Sequence, residues 1–232
     1  MHNLLLAVIL LFTQQPESRP TQQPSVLVVT GNSDVLAMPD EAIVRLGIVR
    51  QAPVAGTAQE QANAVAQEIL SAITKVGVPA KDIQTARLVL SPVYNQRGPD
   101  QKIVAYSATN TVSVRLENLA IVGNVIDAGL KAGSNQVEGV EFRLRNDLPS
   151  REQALREAVQ EARGKARAMA EALGVNLGEV LEASEGGVSL VPRMQAFAAA
   201  PAAAVSTPTP VSPGEIEIRA NVTIRYRISP KQ

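Results

Sequence analysis

The sequence predicts an α+β fold: a mixed, largely antiparallel sheet covered by three amphipathic helices, in the order ββαββαβαββ. Three observations carry this. Residues 216–228 alternate strictly, with Ile216, Ile218, Ala220, Val222, Ile224, Tyr226 and Ile228 on even positions and Glu217, Arg219, Asn221, Thr223, Arg225 and Arg227 on odd ones. A period of two sets one face of a strand in a core and the other in water. Three other segments repeat their apolar residues at spacings of three and four, the helical period. Finally, the terminal strand is long enough to be a stave of a membrane barrel, about 9–11 residues, but such barrels carry an aromatic belt at each interface. The only aromatic residues are Phe12, Tyr94, Tyr106, Phe142, Phe197 and Tyr226, too few and too scattered for two belts. Helices with apolar stripes need a sheet to cover, and the strand is assigned to that sheet.

Composition narrows the chemistry. The 232 residues suffice for a sizeable core. With 22 basic and 22 acidic residues the net charge is zero, so no nucleic-acid footprint is implied. There is no Cys and no Trp, and the single histidine is His2. Disulfides, thiolate nucleophiles and Cys-based metal sites are excluded. Loss of the N-terminus would leave no imidazole, and with it would go Ser-His-Asp catalysis and His-ligated zinc or iron.

Residues 1–12 form a signal-like apolar segment. Its run LLLAVILLF is short of the roughly 20 residues a spanning helix needs. It suits the apolar region of a secretory signal, which predicts export to the periplasm. Met1-His2-Asn3 carries no Lys or Arg, and no small-x-small cleavage motif follows, so removal and retention as an anchor both stay open. Residues 13–24 repeat QQP and read as a Gln/Pro-rich linker unable to bury apolar surface.

The folded domain is placed at 25–230. Residues 25–37 read as a strand interrupted by Gly31-Asn32-Ser33-Asp34, and residues 41–50 as a second, with Pro39-Asp40 closing a hairpin between them. A helix over 57–76 opens on the capping box Thr57-x-x-Glu60 and buries Ala58, Ala62, Val65, Ile69, Ala72, Ile73 and Val76; Gly77 stops it. Residues 83–93 and 102–116 read as a hairpin. Asn118 caps a helix over 119–132 that ends at Gly133, and a strand follows with Val140, Phe142 and Leu144 inward. A third helix opens on Ser150-x-x-Gln153 and runs to Leu173. Its stripe is Leu155, Ala158, Ala162, Ala166, Met169 and Leu173, with Glu152–Arg156 and Glu161–Lys165 as ion pairs on the wet side. Residues 178–184 return as a strand. The Ala/Pro-rich stretch 191–214 reads as a long loop, since its prolines forbid a continuous helix. The alternating strand closes the chain.

No group of residues reaches the threshold of a catalytic constellation. Asp40-Glu41 sits in a turn that favours Asp for its own sake. Glu138 and Glu141 are an odd number of residues apart, which on a regular strand sends them to opposite faces. Asp34 beside Asn32 and Ser33 lacks the spacing of a calcium loop. Gly31-Asn32-Ser33, Gly133-Ser134-Asn135, Gly186-Gly187 and Gly174-x-x-x-Gly178 match no phosphate-binding pattern and read as turns and helix stops. Tyr94 and Tyr106 read as packing or edge residues. The outward Arg219, Arg225 and Arg227 read as a solvated face that discourages edge pairing. Catalytic, cofactor-binding and metal sites are therefore all assigned as none.

With the elements placed, the chain resembles the SIMPL-domain family, which includes bacterial periplasmic immunogenic and outer-membrane-associated antigens. The matching residues are Val28-x-Thr30-Gly31 with Pro39-Asp40-x-Ala42, Asp82-Ile83-Gln84-Thr85, Pro92-Val93-Tyr94, Tyr106-x-Ala108-x-Asn110 and Val125-Ile126-Asp127-Ala128. Further on they are Gly133-Ser134-Asn135 with Val140-x-Phe142, Ala162-Arg163 with Lys165-Ala166, Gly174-Val175-x-Leu177-Gly178 and Pro213-Gly214-Glu215. The family often has Gly where this chain has Ala105, and Gly-Ala-Asn where it has Gly133-Ser134-Asn135. The resemblance implies an exported α+β domain that self-associates into ring-like homo-oligomers, with suggested roles in envelope and oxidative stress and no established enzymatic activity or cofactor. The expected partner is a second copy, with peripheral envelope association and no nucleic acid. The alternative is a periplasmic small-ligand or peptide-binding module with residues 191–214 as a lid.

Overall fold

The structure, a computed structural model, describes residues 25–95, 101–193 and 208–231. The expected leader and linker, the tip of the central hairpin and most of the Ala/Pro-rich stretch lie outside the described residues. The elements follow the expected order: β1 Val26–Ala37, β2 Glu41–Ala52, α1 Ala55–Lys75, β3 Ile83–Tyr94, β4 Ile103–Leu116, α2 Val122–Lys131, β5 Gln136–Arg143, α3 Leu148–Ala172, β6 Val175–Arg193 and β7 Glu215–Pro230. They build two sheets where the sequence suggested one. One sheet has three strands ordered β1-β7-β6, the other four ordered β3-β4-β2-β5, and every pairing is antiparallel. Among the described residues no helix is long and apolar enough to cross a membrane.

The central hairpin β3–β4 forms as expected. The hairpin expected at Pro39-Asp40 does not. β1 pairs along its whole length with β7, while β2 lies between β4 and β5. Pro39-Asp40 is thus a crossing point between two sheets, and Asp40 Oδ1 accepts from the Arg145 amide at 2.7 Å.

α1 and α2 cover one face of the four-stranded sheet. Val44, Leu46 and Ile48 of β2 and Val112 and Val114 of β4 are fully buried there with Ala58, Ala62, Ile69 and Ile73 of α1 and Val122 and Val125 of α2. A large aliphatic side chain buried in this way stabilises the fold by about 1.5–3 kcal/mol. α1 begins two residues before Thr57, at Ala55, and its first turn has no side-chain cap. The capping box is therefore not used. Asn118 does act as expected: its Oδ1 accepts from the Ala120 amide at 3.1 Å, although the turn it opens is a 3-10 turn at Leu119–Ile121, ahead of α2. Gly77 and Gly133 both stop helices at φ of 104°, where a Cβ is strained. Beyond Gly133, Ser134 Oγ donates to the Gly47 carbonyl at 2.9 Å, and the Asn135 amide side chain brackets Val49 through both its oxygen and its nitrogen. The turn after α2 is fastened to β2.

α3 covers one face of the three-stranded sheet. Its buried residues are Ala154, Ala158, Ala162, Ala166 and Ala170, an all-alanine ridge at strict four-residue spacing. Leu155 is only half-buried, and Met169 and Leu173 of the expected stripe are exposed. The helix starts at Leu148, with Pro149 in the first turn, so the box at Ser150 is unused as well. Small residues are needed because the helix backbone rests on β1. A Cβ placed on Gly31 would lie 2.0 Å from the Ala158 carbonyl oxygen and 2.6 Å from the Ala162 nitrogen. Gly31 is therefore a contact point in an unbroken strand, not the bend expected at 31–34. The gap it leaves separates two apolar clusters under α3, one around Leu27, Val29, Ile224 and Tyr226 and the other around Val35, Ile218 and Val222.

β7 keeps the alternation read from the sequence, with its even positions buried against α3. β6 is longer than expected. It begins at Val175 and runs through Gly186-Gly187, which sit at a register shift inside the strand instead of in a turn, and takes up residues 191–193 of the expected loop.

Candidate functional site

The two exposed sheet faces and the outer strand edges are where these elements meet their surroundings. On the open face of the three-stranded sheet lie Arg219, Arg225 and Arg227, each beside a carboxylate. Arg225 donates to Glu182 and Arg227 to Glu179, both at 3.0 Å. Arg219 donates to Glu217 at 3.0 Å and lies 3.5 Å from Asp34. The hydrogen bond to Glu217, with the charge of that carboxylate, raises the Arg219 pKa above its ordinary value. Glu217 is buried at an outward position because Arg193 and Arg219 flank it. The row of arginines is thus internally neutralised and offers little free charge to an anion. An open cleft of about 410 Å³ runs beside it, lined by Asn32, Asp34, Gly187, Ser189, Arg219 and Asn221, with Asn221 donating to Asn32 at 2.7 Å.

The open face of the four-stranded sheet brings carboxylates together that the sequence separated. β5 shifts register against β2 between Arg45 and Leu46, so one extra residue enters β5 at this point. A bulge of this kind reverses the faces beyond it. Glu141 receives Arg45 at 2.7 Å, and Glu138 accepts from Thr111 Oγ1 at 2.7 Å on the same face. The side chain of Glu138 passes over Gly47, whose missing Cβ would stand 3.1 Å from it. At the end of this face Glu41 is buried between Arg143, which donates to it through Nε, and Arg115, 3.9 Å away; Arg115 also bonds Asp82. Asp40 is occupied by the Arg145 amide, so Asp40 and Glu41 form no carboxylate pair, in keeping with the turn reading. Every acidic group here faces a donor. Among the described residues no set of three metal-ligating side chains comes together.

Tyr106 packs against the first core, and Tyr94 is exposed at the end of β3. Neither lines the clefts at Asn32–Arg219 or at Asp82–Arg143. Asn110, on the helix side of β4, is buried with no partner for its Oδ1 among the described residues.

The strand edges differ in how they are closed. β1 is an outer strand, and α3 reaches over it: Lys165 Nζ donates to the Thr30 carbonyl at 3.0 Å, and Glu161 accepts from the Asn32 amide. That amide, ahead of Lys165, holds the Glu161 carboxyl below its ordinary pKa. β5 is short and bulged. β3 and β6 are the other two long outer strands; among the described residues no strand lies beyond either, and Arg151 of α3 donates to the Val188 carbonyl of β6 at 3.3 Å. Leu88, Leu90 and Tyr94 of β3 and Val180, Leu181 and Val191 of β6 are exposed. Periodicity located these strands; only the pairing shows that they are edges.

Residues 208–214 have no regular structure, yet they are held. Thr209 donates to Asp127 of α2 through its hydroxyl at 2.6 Å and its amide at 3.3 Å, its carbonyl oxygen lies 2.3 Å from where a Cβ on Gly123 would stand, and Val211 packs on the first core. This part of the expected lid is a strap. Its Thr209 hydroxyl, then its amide, hold the Asp127 carboxyl below its ordinary value. A carboxylate depressed in the folded state keeps its contact at and above the usual carboxylate range and loses it as pH falls through the lowered value. The Thr209 amide resonance should therefore titrate with a midpoint below the roughly 3.9 of a free aspartate. In Asp127→Asn that transition should vanish from the NMR pH series; an unchanged midpoint would detach the strap from α2.

Sequence comparisons identify the relatives of this chain. The model of the SIMPL family, described as a protein of unknown function (DUF541), matches residues 27–226. The "26 kDa periplasmic immunogenic protein" of Brucella melitensis biotype 1 is 34% identical over 224 residues, covering 91% of this chain and 88% of the relative. "Uncharacterized protein YggE" of Escherichia coli K12 is 28% identical over 133 residues, 57% of this chain and 54% of that one. Its namesake in Edwardsiella ictaluri is 28% identical over 155 residues, 66% and 65% of the two chains. The Brucella relationship supports a periplasmic location, as the apolar N-terminal segment led us to expect. The chain belongs to the SIMPL family.

Proposed function

We propose that this periplasmic protein works by assembling with copies of itself and carries out no catalysis of its own. In this reading its N-terminal segment is an export signal, it associates peripherally with the envelope, and it serves in envelope or oxidative stress. The observation that carries the reading is the contrast between edges: α3 closes β1 with Glu161 and Lys165 and reaches the Val188 carbonyl of β6 with Arg151, while among the described residues β3 has no strand beyond it and exposes Leu88, Leu90 and Tyr94. An unpaired edge strand is a ready template for another chain. The neutralised arginine face supports docking through edges over docking through charge. With no cysteine, a part in oxidative stress cannot run through thiols.

Native mass spectrometry of a periplasmic extract tests this. The expected spectrum shows an integral multiple of one mature mass that lacks the N-terminal segment. A strict monomer at high protein concentration would overturn the reading. The cleft at Asn32–Arg219 favours a second reading, a small-ligand module, and a stoichiometric small-molecule adduct on the mature mass would support it.

A further inference from the structure

The outer edge of β3 is self-complementary. Residues 87–91 read RLVLS and run in regular register against β4, with Leu88 opposite Asn110 and Leu90 opposite Ala108. Leu88 and Leu90 therefore point to the side on which α1 packs. α1 lies mainly over β2 and β4, and the two leucines beyond it are 55% and 43% exposed. Pro92 follows. A proline in an edge strand turns its nitrogen away from the ladder, so the two-residue repeat turns the N–H and C=O groups of Leu88 and Leu90 outward as well. Among the described residues β3 has β4 on one side and no strand on the other.

We infer that two copies of this chain join through β3, antiparallel, about a two-fold axis at Val89. This rests on the self-association reading and names its contact. In that register Arg87 faces Ser91 of the second copy, Leu88 faces Leu90, and Val89 faces itself. No like charges meet. The Leu88 and Leu90 backbones exchange N–H and C=O bonds as a hydrogen-bonded pair, twice over by symmetry. The four leucines close over each other on the helix side, and the two four-stranded sheets become one. The ladder ends where Pro92 lacks a donor and where β3 shifts register between Thr85 and Arg87. β6 is less suited to such a contact. It shifts register at three places against β7 and carries Glu179, Glu182 and Glu185, and both features discourage strand addition.

The chain has no cysteine, so an added thiol is unique. In a non-hydrogen-bonded antiparallel pair the Cα atoms stand about 4.5 Å apart, within disulfide range. Val89→Cys should give a covalent dimer under mild oxidation. Val93→Cys, on the same strand but far from the axis, should give at least ~10-fold less. Leu90→Lys enters each two-fold contact twice and should weaken association by ~100-fold in analytical ultracentrifugation, with an unchanged circular dichroism spectrum as the check on folding. A wild-type chain that stays monomeric at all concentrations would sink self-association and this contact together. A wild-type chain that associates, with the two thiol variants cross-linking alike or with Leu90→Lys keeping its mass, would overturn the β3 contact alone.

Discussion

Gly31→Ala should destabilise the protein by about 3 kcal/mol, a large loss for the addition of one methyl group. The added carbon would stand 2.0 Å from the Ala158 carbonyl oxygen and 2.6 Å from the Ala162 nitrogen. Both are backbone atoms in the middle of α3, so no side chain can rotate away. Either α3 lifts off the sheet and uncovers its alanine ridge, or β1 bends and disturbs its ladder with β7. Overpacking of this kind typically costs about 1–3 kcal/mol, occasionally more, and the rigidity of both partners places this site at the top of that range. Gly164→Ala is the matched control. Gly164 lies in the same helix with nothing within 4 Å of its missing Cβ. Alanine there should stabilise by about 0.5–1 kcal/mol through helix propensity. Urea unfolding should show the midpoint moving in opposite directions for the two variants with the slope unchanged. Equal midpoints for Gly31→Ala and the wild type would mean that α3 does not rest on β1 at this point.

That contact also shows where sequence reasoning reached and where it stopped. Order and type of every main element were legible because they depend on local period: two for β7, three to four for the helices. Partnership is not local. Pro39-Asp40 between two apolar runs has the look of a hairpin, and only the match of β1 to β7, with Gly31 opposite Val222, shows that the chain crosses to another sheet. In α3 the stripe read from the sequence holds Ala158, Ala162 and Ala166, which are buried, but also the large residues Leu155, Met169 and Leu173, which are not. The signal against them was present: five alanines at intervals of four, which suit a helix lying close on a strand that offers a glycine. Glu138 and Glu141 were separated by counting along a regular strand. Gly139 between them was the cue to a bulge, and the bulge reverses the count. The acidic and basic residues of both open faces were visible in the sequence. Their mutual pairing, which withdraws most of them from any site, was not.

Glu41→Ala should cost about 2 kcal/mol, for a reason independent of packing density. Glu41 is 1% exposed, yet it sits at the outward side of β2, at the mouth of the four-stranded sheet. Its carboxylate is held there by Arg143, which donates to it directly, and by Arg115, 3.9 Å away. Hydrogen bonds to a charged group are worth about 1.5–3 kcal/mol. Alanine removes them and leaves two guanidinium groups on either side of Ile43, with Asp82 and the more distant Glu117 to balance Arg115. Both arginines are nearly half exposed, so water takes up part of their charge, which keeps the loss below the 3–5 kcal/mol of a fully buried broken pair. The double variant Glu41→Ala, Arg143→Ala separates the two contributions. If repulsion between the arginines matters, the second change should recover part of the first loss, and the double-mutant cycle should show a coupling of about 1 kcal/mol or more. Strictly additive losses in urea unfolding would mean that Glu41 acts only by filling space at the end of β2. Recovery would make it the residue that lets the chain carry two arginines on adjacent strands beside the crossing at Pro39-Asp40, where β2 begins.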